Sequence, residues 1–324
     1  MMTITDRLLK LGERAFLVHK DNILVDSRFL GGMSNYTYKV FVDGNPFVFR
    51  LIGDKGDVIV TPKIEYEHLK LIEHLNLTSK TIYFDVETGS KVSTFIDGEV
   101  LSKNLSNNGV RLVAETLKTL HQSNLEGFDY RLEERLNHYE SLLKNKPTDA
   151  YYVLKDFWFN LYNNHFSKQP KVFCHGDAQR SNLIKYQNKV YLLDWEFSGM
   201  NDPYYDIASF GNIEFKDTLI LLEAYLERKP TIEEINKVKY YRMYQVLQWH
   251  IVANYKDEVG LSEKLHMDFG EIAKKYLNFA TNFYLELVGF YENNWTTYKW
   301  SCKYWRFAKY YSLSGKWSFK FWKI

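Results

Sequence analysis

The chain has 324 residues, 45% of them hydrophobic and 25% charged, with a formal net charge of +2. That length suits a two-lobed molecule with a sizeable core, and the near-neutral balance gives the chain as a whole no call on a polyanionic partner. Two widely spaced cysteines, Cys174 and Cys302, make neither a disulfide framework nor a zinc site and fit a reducing cytoplasm.

The opening residues, MMTITDRLLKLGER, scatter charge throughout and lack the apolar core of a signal peptide. No uninterrupted apolar run approaches the ~20 residues of a membrane span. The first hundred residues read mostly as strand. NILVDSRFL, YTYKVFV and PFVFRLIG are β-rich runs separated by GGMSN and DGN turns. TPKIEYEHLKLIEHLNL then places Ile64, Leu69, Ile72 and Leu75 at helical spacing, with Thr61 as N-cap and Pro62 at the first helical position. KTIYFDV and KVSTFID return to strand, and DGEV at 97–100 reads as the turn that closes this unit.

From Asn107 the pattern is helical through GVRLVAETLKTLHQ, RLEERLNHYESLLK and DAYYVLKDFWFNLYNNHF. A different stretch, FCHGDAQRSNLIKYQNKVYLLDWEF, interrupts it at 173–197. Four more helices are predicted near 204–212, 216–228, 231–256 and 262–290. Strands first and helices later predict an α+β protein. Residues 1–98 would form a small antiparallel-sheet lobe that binds nucleotide, and 99–290 a larger helical lobe with the catalytic and substrate groups. The last 34 residues, 291–324, carry +6 and thirteen aromatics, while the rest of the chain carries −4. Three readings stand for this tail: a helical extension packed on the body, a segment for a membrane surface or anionic partner, or an end with no selected role.

The interrupting stretch has the makings of a phosphoryl-transfer site. Such transfer needs a carboxylate to orient and deprotonate the attacking hydroxyl, metal ions to neutralise the triphosphate, and donors to hold it in line. Asp177 supplies the first, and Asn182 and Asp194 offer oxygen ligands for Mg²⁺. NLIKY and KVYLLDW read as a hairpin turning at QNK, which would return Asp194 beside Asn182. The Asp177–Asn182 spacing is that of the protein-kinase catalytic loop. Upstream, Gly31 and Gly32 with Ser34 and Asn35 form a turn between strands that could hold phosphates. Arg50 ends an apolar strand, where its planar fork suits phosphate oxygens. Glu65, on the following helix, is the natural partner to orient it.

These segments resemble the choline kinase branch of the aminoglycoside phosphotransferase-like, protein-kinase-like superfamily, in particular its bacterial choline kinases. The resemblance runs from about residue 20 to 290 and rests on LGGMSNYTYKV, VFRLIG, LHQS, CHGDAQRSNLI, LLDWEFSGMNDPYYDIAS and LQWHIVANYKDE. It implies a two-lobed kinase-like fold, ATP and Mg²⁺ as cofactors, and a small amino alcohol as substrate. Asp177 would be the base, Asn182 and Asp194 the metal ligands, and Gly31 to Asn35 the cover over the phosphates. Arg50 would contact those phosphates, held by Glu65. Residues 93–98, including Phe95 and Ile96, would lie beside the adenine, and His121 would buttress the catalytic loop.

Choline, a quaternary ammonium with no N–H, can be held only by ring faces, nearby carboxylates and shape. The resemblance puts Trp249 on an aromatic wall of its site. Relatives often have a second Trp three residues on, where this chain has Val252. Tyr204, Tyr205 or Tyr255 would then complete the wall, with Glu196 and Asp206 lending negative potential. Trp249 and Tyr255 are six apart, so a helix break is needed if they share one side of the pocket. Ethanolamine, which needs acceptors for three N–H donors, is the alternative, followed by an aminoglycoside or sugar. A non-catalytic kinase-like protein would lack Asp177, Asn182 or Asp194, and all three are present. The acidic body argues against a nucleic-acid partner.

Overall fold

The computed structural model describes residues 2–29 and 35–293. Gly31, Gly32, Ser34 and almost all of the basic aromatic tail therefore lie outside the described residues. The chain divides into two compact units, the first comprising 1–130, 171–206 and 220–228, the second 131–170, 207–219 and 229–324.

The first unit opens with a helix, α1 (Ile4–Phe16), inside the stretch read as mostly strand. Thr3 and Asp6 form a reciprocal capping box at its start. Its buried Leu8 and Leu11 join Val40, Phe49 and Val92 in the core of the sheet that follows. That sheet comprises β1 (Ile23–Arg28), β2 (Asn35–Val42), β3 (Asn45–Ile52), β4 (Thr81–Phe84) and β5 (Lys91–Thr94), in the order β1-β2-β3-β5-β4. Every pairing is antiparallel, and Arg50 on β3 stands opposite Lys91 on β5. Between β3 and β4 runs α2 (Pro62–Ile72), with Thr61 and Pro62 at the expected positions, although the Thr61 side chain makes no capping bond.

The stretch at 97–100 is more than a turn. Glu99 and Val100 form a short strand, β6, whose partner is Ile184–Lys185, nearly ninety positions downstream. After α3 (Asn107–His121) the first unit resumes with β7 (Val172–Cys174), the hairpin β8 (Leu183–Tyr186) and β9 (Lys189–Leu192), and β10 (Gly199–Asn201). β6 and the hairpin make a separate three-stranded sheet in the order β6-β8-β9. β10, a strand the sequence reading did not separate from its surroundings, pairs antiparallel with β7. The unit also holds the start of α6 (Tyr204–Phe210) and the larger, C-terminal part of α7 (Phe215–Leu226).

The second unit is helical. It contains α4 (Leu132–Ser141), α5 (Asp149–Leu161) and α8 (Ile232–Glu258), then α9 (Leu261–Leu265) and α10 (Phe269–Asn293). The single helix expected over 262–290 is two, because His266 takes a left-handed conformation (φ +53°) and ends α9. Trp158, Tyr162, Phe166 and Tyr240 stack in its core, with Trp158 and Tyr240 ring centroids 4.4 Å apart. These rings of the helical unit serve packing. No helix among the described residues is long and apolar enough to cross a membrane.

Candidate active site

The loop carrying Asp177 is built on a turn that only glycine can make. Gly176 has φ +80°, and a Cβ there would stand 1.9 Å from the Phe197 carbonyl oxygen. The turn is held by Asp206 of α6, which is fully buried. Its two carboxylate oxygens accept the backbone N–H groups of His175 (2.7 Å) and Gly176 (2.8 Å). His121 Nε2 bonds the same carboxylate at 3.1 Å, and His121 Nδ1 meets the Tyr225 hydroxyl at 2.9 Å. Burial alone would raise the Asp206 pKa, but the His121 bond, the two histidine rings and the His175 N–H hold it below its ordinary value. Asp206 was expected to lend negative potential to a substrate. Its oxygens are occupied by the loop instead, and His121 reaches that loop through it.

His175 is itself buried, and burial lowers its pKa. The Asp177 N–H donates to Nδ1 at 3.3 Å and Nε2 faces the Leu193 carbonyl at 3.0 Å, so the ring is the neutral tautomer with its proton on Nε2. It thereby links the catalytic loop to the strand that leads into Asp194.

Asp177 is half-buried, and two amides converge on its Oδ2: Asn182 Nδ2 at 2.9 Å and Gln179 Nε2 at 3.0 Å. Asn182 also donates to the Asp177 carbonyl at 3.0 Å. A tight turn over Arg180–Asn182 brings the asparagine back across five residues. The β8–β9 hairpin pairs Leu183 with Leu192, and the Leu193 N–H donates to the Asn182 carbonyl at 2.8 Å. That register delivers Asp194 to the loop. Asp194 has φ +65°, the left-handed region that Asp tolerates better than most side chains.

Arg50 stands at the centre of an acidic cluster. It donates from both terminal nitrogens to Glu65 (2.6 and 2.8 Å) and from Nη1 to Asp194 (2.9 Å), and lies 3.7 Å from Glu196. Its Nη2 also meets the Gly89 carbonyl at 3.2 Å. Lys91 Nζ shares Glu65 at 2.9 Å. Burial works to raise the Glu65 pKa, but Arg50 and Lys91 overcome it and hold the carboxylate down to about 2. Glu196 is pushed up to about 8 by burial and by Asp194, with Arg50 opposing.

Two expectations change here. Glu196 was placed with the substrate and Asn35 over the phosphates. Instead Asn35 Nδ2 donates to Glu196 at 2.8 Å and faces Asp194 at 3.5 Å, so both belong to the Arg50 cluster. Lys91 and Gln179 were missed. Only the β3–β5 register puts Lys91 opposite Arg50, and only the tightness of the loop turns Gln179 back on Asp177.

The donor set suits a hard divalent cation. Asn182 and Asp194 offer oxygen, and the buried Asn35 Oδ1 beside Asp194 has no hydrogen-bond partner. Mg²⁺ is held by one or two carboxylates plus phosphates and water, so a full protein cage is not needed. The one gathering of three acid, His or Cys ligands among the described residues is His121, Cys174 and Asp206. There the His and Asp groups already hydrogen-bond each other and the loop, and burial raises the Cys174 thiol well above its ordinary pKa.

The remaining expected residues are dispersed. Phe95 follows the end of β5 and stacks 6.4 Å from Phe29, with Lys39 Nζ 4.6 Å above its ring; Ile96 is half-buried. Tyr204 is half-buried at the start of α6, whereas Tyr205 is buried with its hydroxyl 2.7 Å from that of Tyr130. Trp249 and Tyr255 lie on α8 in the second unit. That helix is unbroken from Ile232 to Glu258, so the break that would let both rings line one side is absent. Six residues of α-helix set them roughly 120° apart around the axis. Trp249 is half-buried and Tyr255 buried.

Residues 25–236 match the phosphotransferase enzyme family. The chain is 23% identical to protein LicA of Haemophilus influenzae over 292 residues, covering 83% of this chain and 82% of that one. Its fold is similar to the crystal structure of choline kinase LicA from Streptococcus pneumoniae (TM-score 0.69, 25% identity, 87% of this chain and 99% of that one). It is likewise similar to a LicA structure in complex with AMP (TM-score 0.70, 24% identity, 88% and 99%). The fold is thus protein-kinase-like, with an antiparallel-sheet lobe and a mostly helical remainder. The chain belongs to the phosphotransferase enzyme family, as an enzyme of kinase type with an alcohol group as acceptor.

Proposed function

We propose that this chain transfers the γ-phosphoryl group of ATP to the hydroxyl of choline, giving phosphocholine. The observation that carries the reading is one constellation: Asp177 beneath two amide donors, Asn182 bonded to it, and Asp194 returned by the hairpin to Arg50. The choline oxygen forms a bond to the γ-phosphorus while the bond from that phosphorus to ADP breaks. The hydroxyl proton passes to the Asp177 carboxylate. Asn182 and Gln179 fix that carboxylate before substrate arrives, so little reorganisation remains at the moment of reaction. Asn182 and Asp194 would hold Mg²⁺, which when bound neutralises charge on the phosphates. The fork of Arg50, expected on the phosphates, is taken up by Glu65, Asp194 and the Gly89 carbonyl, so Arg50 serves to hold Asp194 in place. Phe95 and Ile96 lie beside the adenine.

Choline is supported by the resemblance across the six segments and by the choline kinase among the similar solved structures. Trp249 is the ring proposed to face the quaternary ammonium, with Tyr204 nearest to it in role. One observation favours ethanolamine as a second reading: Val252, buried on α8, stands where relatives often have a further Trp. With ATP as donor, the enzyme would work in the cytoplasm.

ATP consumption with choline, ethanolamine and kanamycin, measured side by side, tests the assignment. Choline should be turned over fastest. Faster turnover of ethanolamine would move the enzyme to the second reading, and equal turnover of all three would remove both.

A further inference from the structure

α2 carries two buried polar residues one turn apart, Glu65 and His68, and each holds a different part of the site. Glu65 grips Arg50 and Lys91. His68, 1% exposed, reaches the segment that follows Asp194 and Glu196: its Nδ1 lies 2.9 Å from Ser198 Oγ. Ser198 Oγ donates to the Trp195 carbonyl at 2.7 Å, so it accepts from a protonated Nδ1. His68 Nε2 accepts the Phe128 N–H at 3.1 Å, which fixes that tautomer. Phe173 meets the ring edge-on, with centroids 4.9 Å apart. The ring therefore has no rotational freedom, and its proton is aimed at Ser198.

We infer that His68 and Ser198 are positioning residues for phosphoryl transfer, tying the helix that orients Arg50 to the segment that presents Asp194. Trp195 links the two carboxylates, Asp194 and Glu196, and its carbonyl receives both the hydroxyl and the N–H of Ser198. A shift of α2 would thus move Glu65 and the carboxylate segment together, and the distance from Arg50 to Asp194 is kept. With the tether cut, Asp194 keeps its strained left-handed backbone with one restraint fewer.

The inference rests on the phosphotransferase reading of the site but not on the identity of the alcohol. Calorimetric binding of ATP, with and without Mg²⁺, tests it without any acceptor. Ser198→Ala should weaken Mg·ATP about fivefold, the effect of one net hydrogen bond, and leave Mg-free ATP unchanged. Ser198→Thr, which keeps the hydroxyl, should bind Mg·ATP as the native chain does, and His68→Gln should show the Ser198→Ala pattern. Should a variant fold poorly, hydrogen exchange on the other gives the same reading: faster exchange in both α2 and 194–198. Equal weakening with and without Mg²⁺, or a lowered melting temperature with Mg·ATP affinity unchanged, would overturn the tether as a positioning device. Failure of every alcohol in a turnover assay, with these binding differences intact, would count against the choline assignment alone.

Discussion

Asp177 receives hydrogen bonds from two neutral amides on one oxygen, an arrangement that orients a carboxylate without neutralising it. Asp177→Asn keeps the shape and removes the proton acceptor. It should lower kcat about a thousandfold, within the range for a lost general base, with the melting temperature almost unchanged. Steady-state kinetics beside thermal melting would check this, and native turnover would remove Asp177 from its role. Glu196 makes a second residue-level prediction. Its pKa rises from an ordinary 4.5 to about 8 in the folded chain, so the native state keeps a proton that the unfolded state releases. Stability from this group is therefore full below 4.5 and is lost as pH rises through 8. Without Mg²⁺, Glu196→Gln should melt higher than the native chain at pH 9, and the gap should close by pH 5. A gap independent of pH would contradict the buried, proton-bearing Glu196.

Elements explain why some of this was legible and some was not. The alternation in YTYKVFV and PFVFRLIG, and the QNK turn, gave β2, β3 and the β8–β9 hairpin, because local hydrophobic period and turn chemistry decide them. The helix α1 was missed although Thr3-x-x-Asp6 is a readable capping signal. β6 and β10 were missed for a different reason. They are two and three residues long, and partners far along the chain make them strands. The same non-locality put Asp206 and Glu196 with the substrate, since sequence shows a carboxylate but not which N–H groups meet it. Gly176 follows the opposite pattern, a local residue with a severe geometric demand. Gly176→Ala should destabilise the chain by at least ~3 kcal/mol through positive φ and the contact with Phe197. A denaturant midpoint equal to that of the native chain would refute this. On α8, Trp249→Ala should raise KM for choline more than KM for ATP, whereas Tyr255→Ala, at a buried position on another side of the helix, should act mainly on stability. Equal effects of Trp249→Ala on both KM values would place that ring in packing.

At the scale of the molecule, the chain joins two kinds of legibility. The α+β reading followed from the order of strands and helices, and the kinase-like fold from the resemblance carried by six segments. The catalytic stretch pairs with β6, and the first unit holds both together with the early strands. Asp177, Asn182, Asp194, Arg50 and Glu65 are thus all held within one compact body, while Trp249 and Tyr255 belong to the other. Substitutions in the first set are predicted to act on kcat, and Trp249→Ala on KM for the acceptor. Phosphorus NMR of the native enzyme mixed with ATP, Mg²⁺ and choline tests the central claim most directly. A phosphomonoester resonance of phosphocholine should grow as the γ-phosphate signal of ATP falls, and Asp177→Asn should show neither change. Loss of ATP to inorganic phosphate alone, or the same phosphocholine signal from Asp177→Asn, would contradict the account.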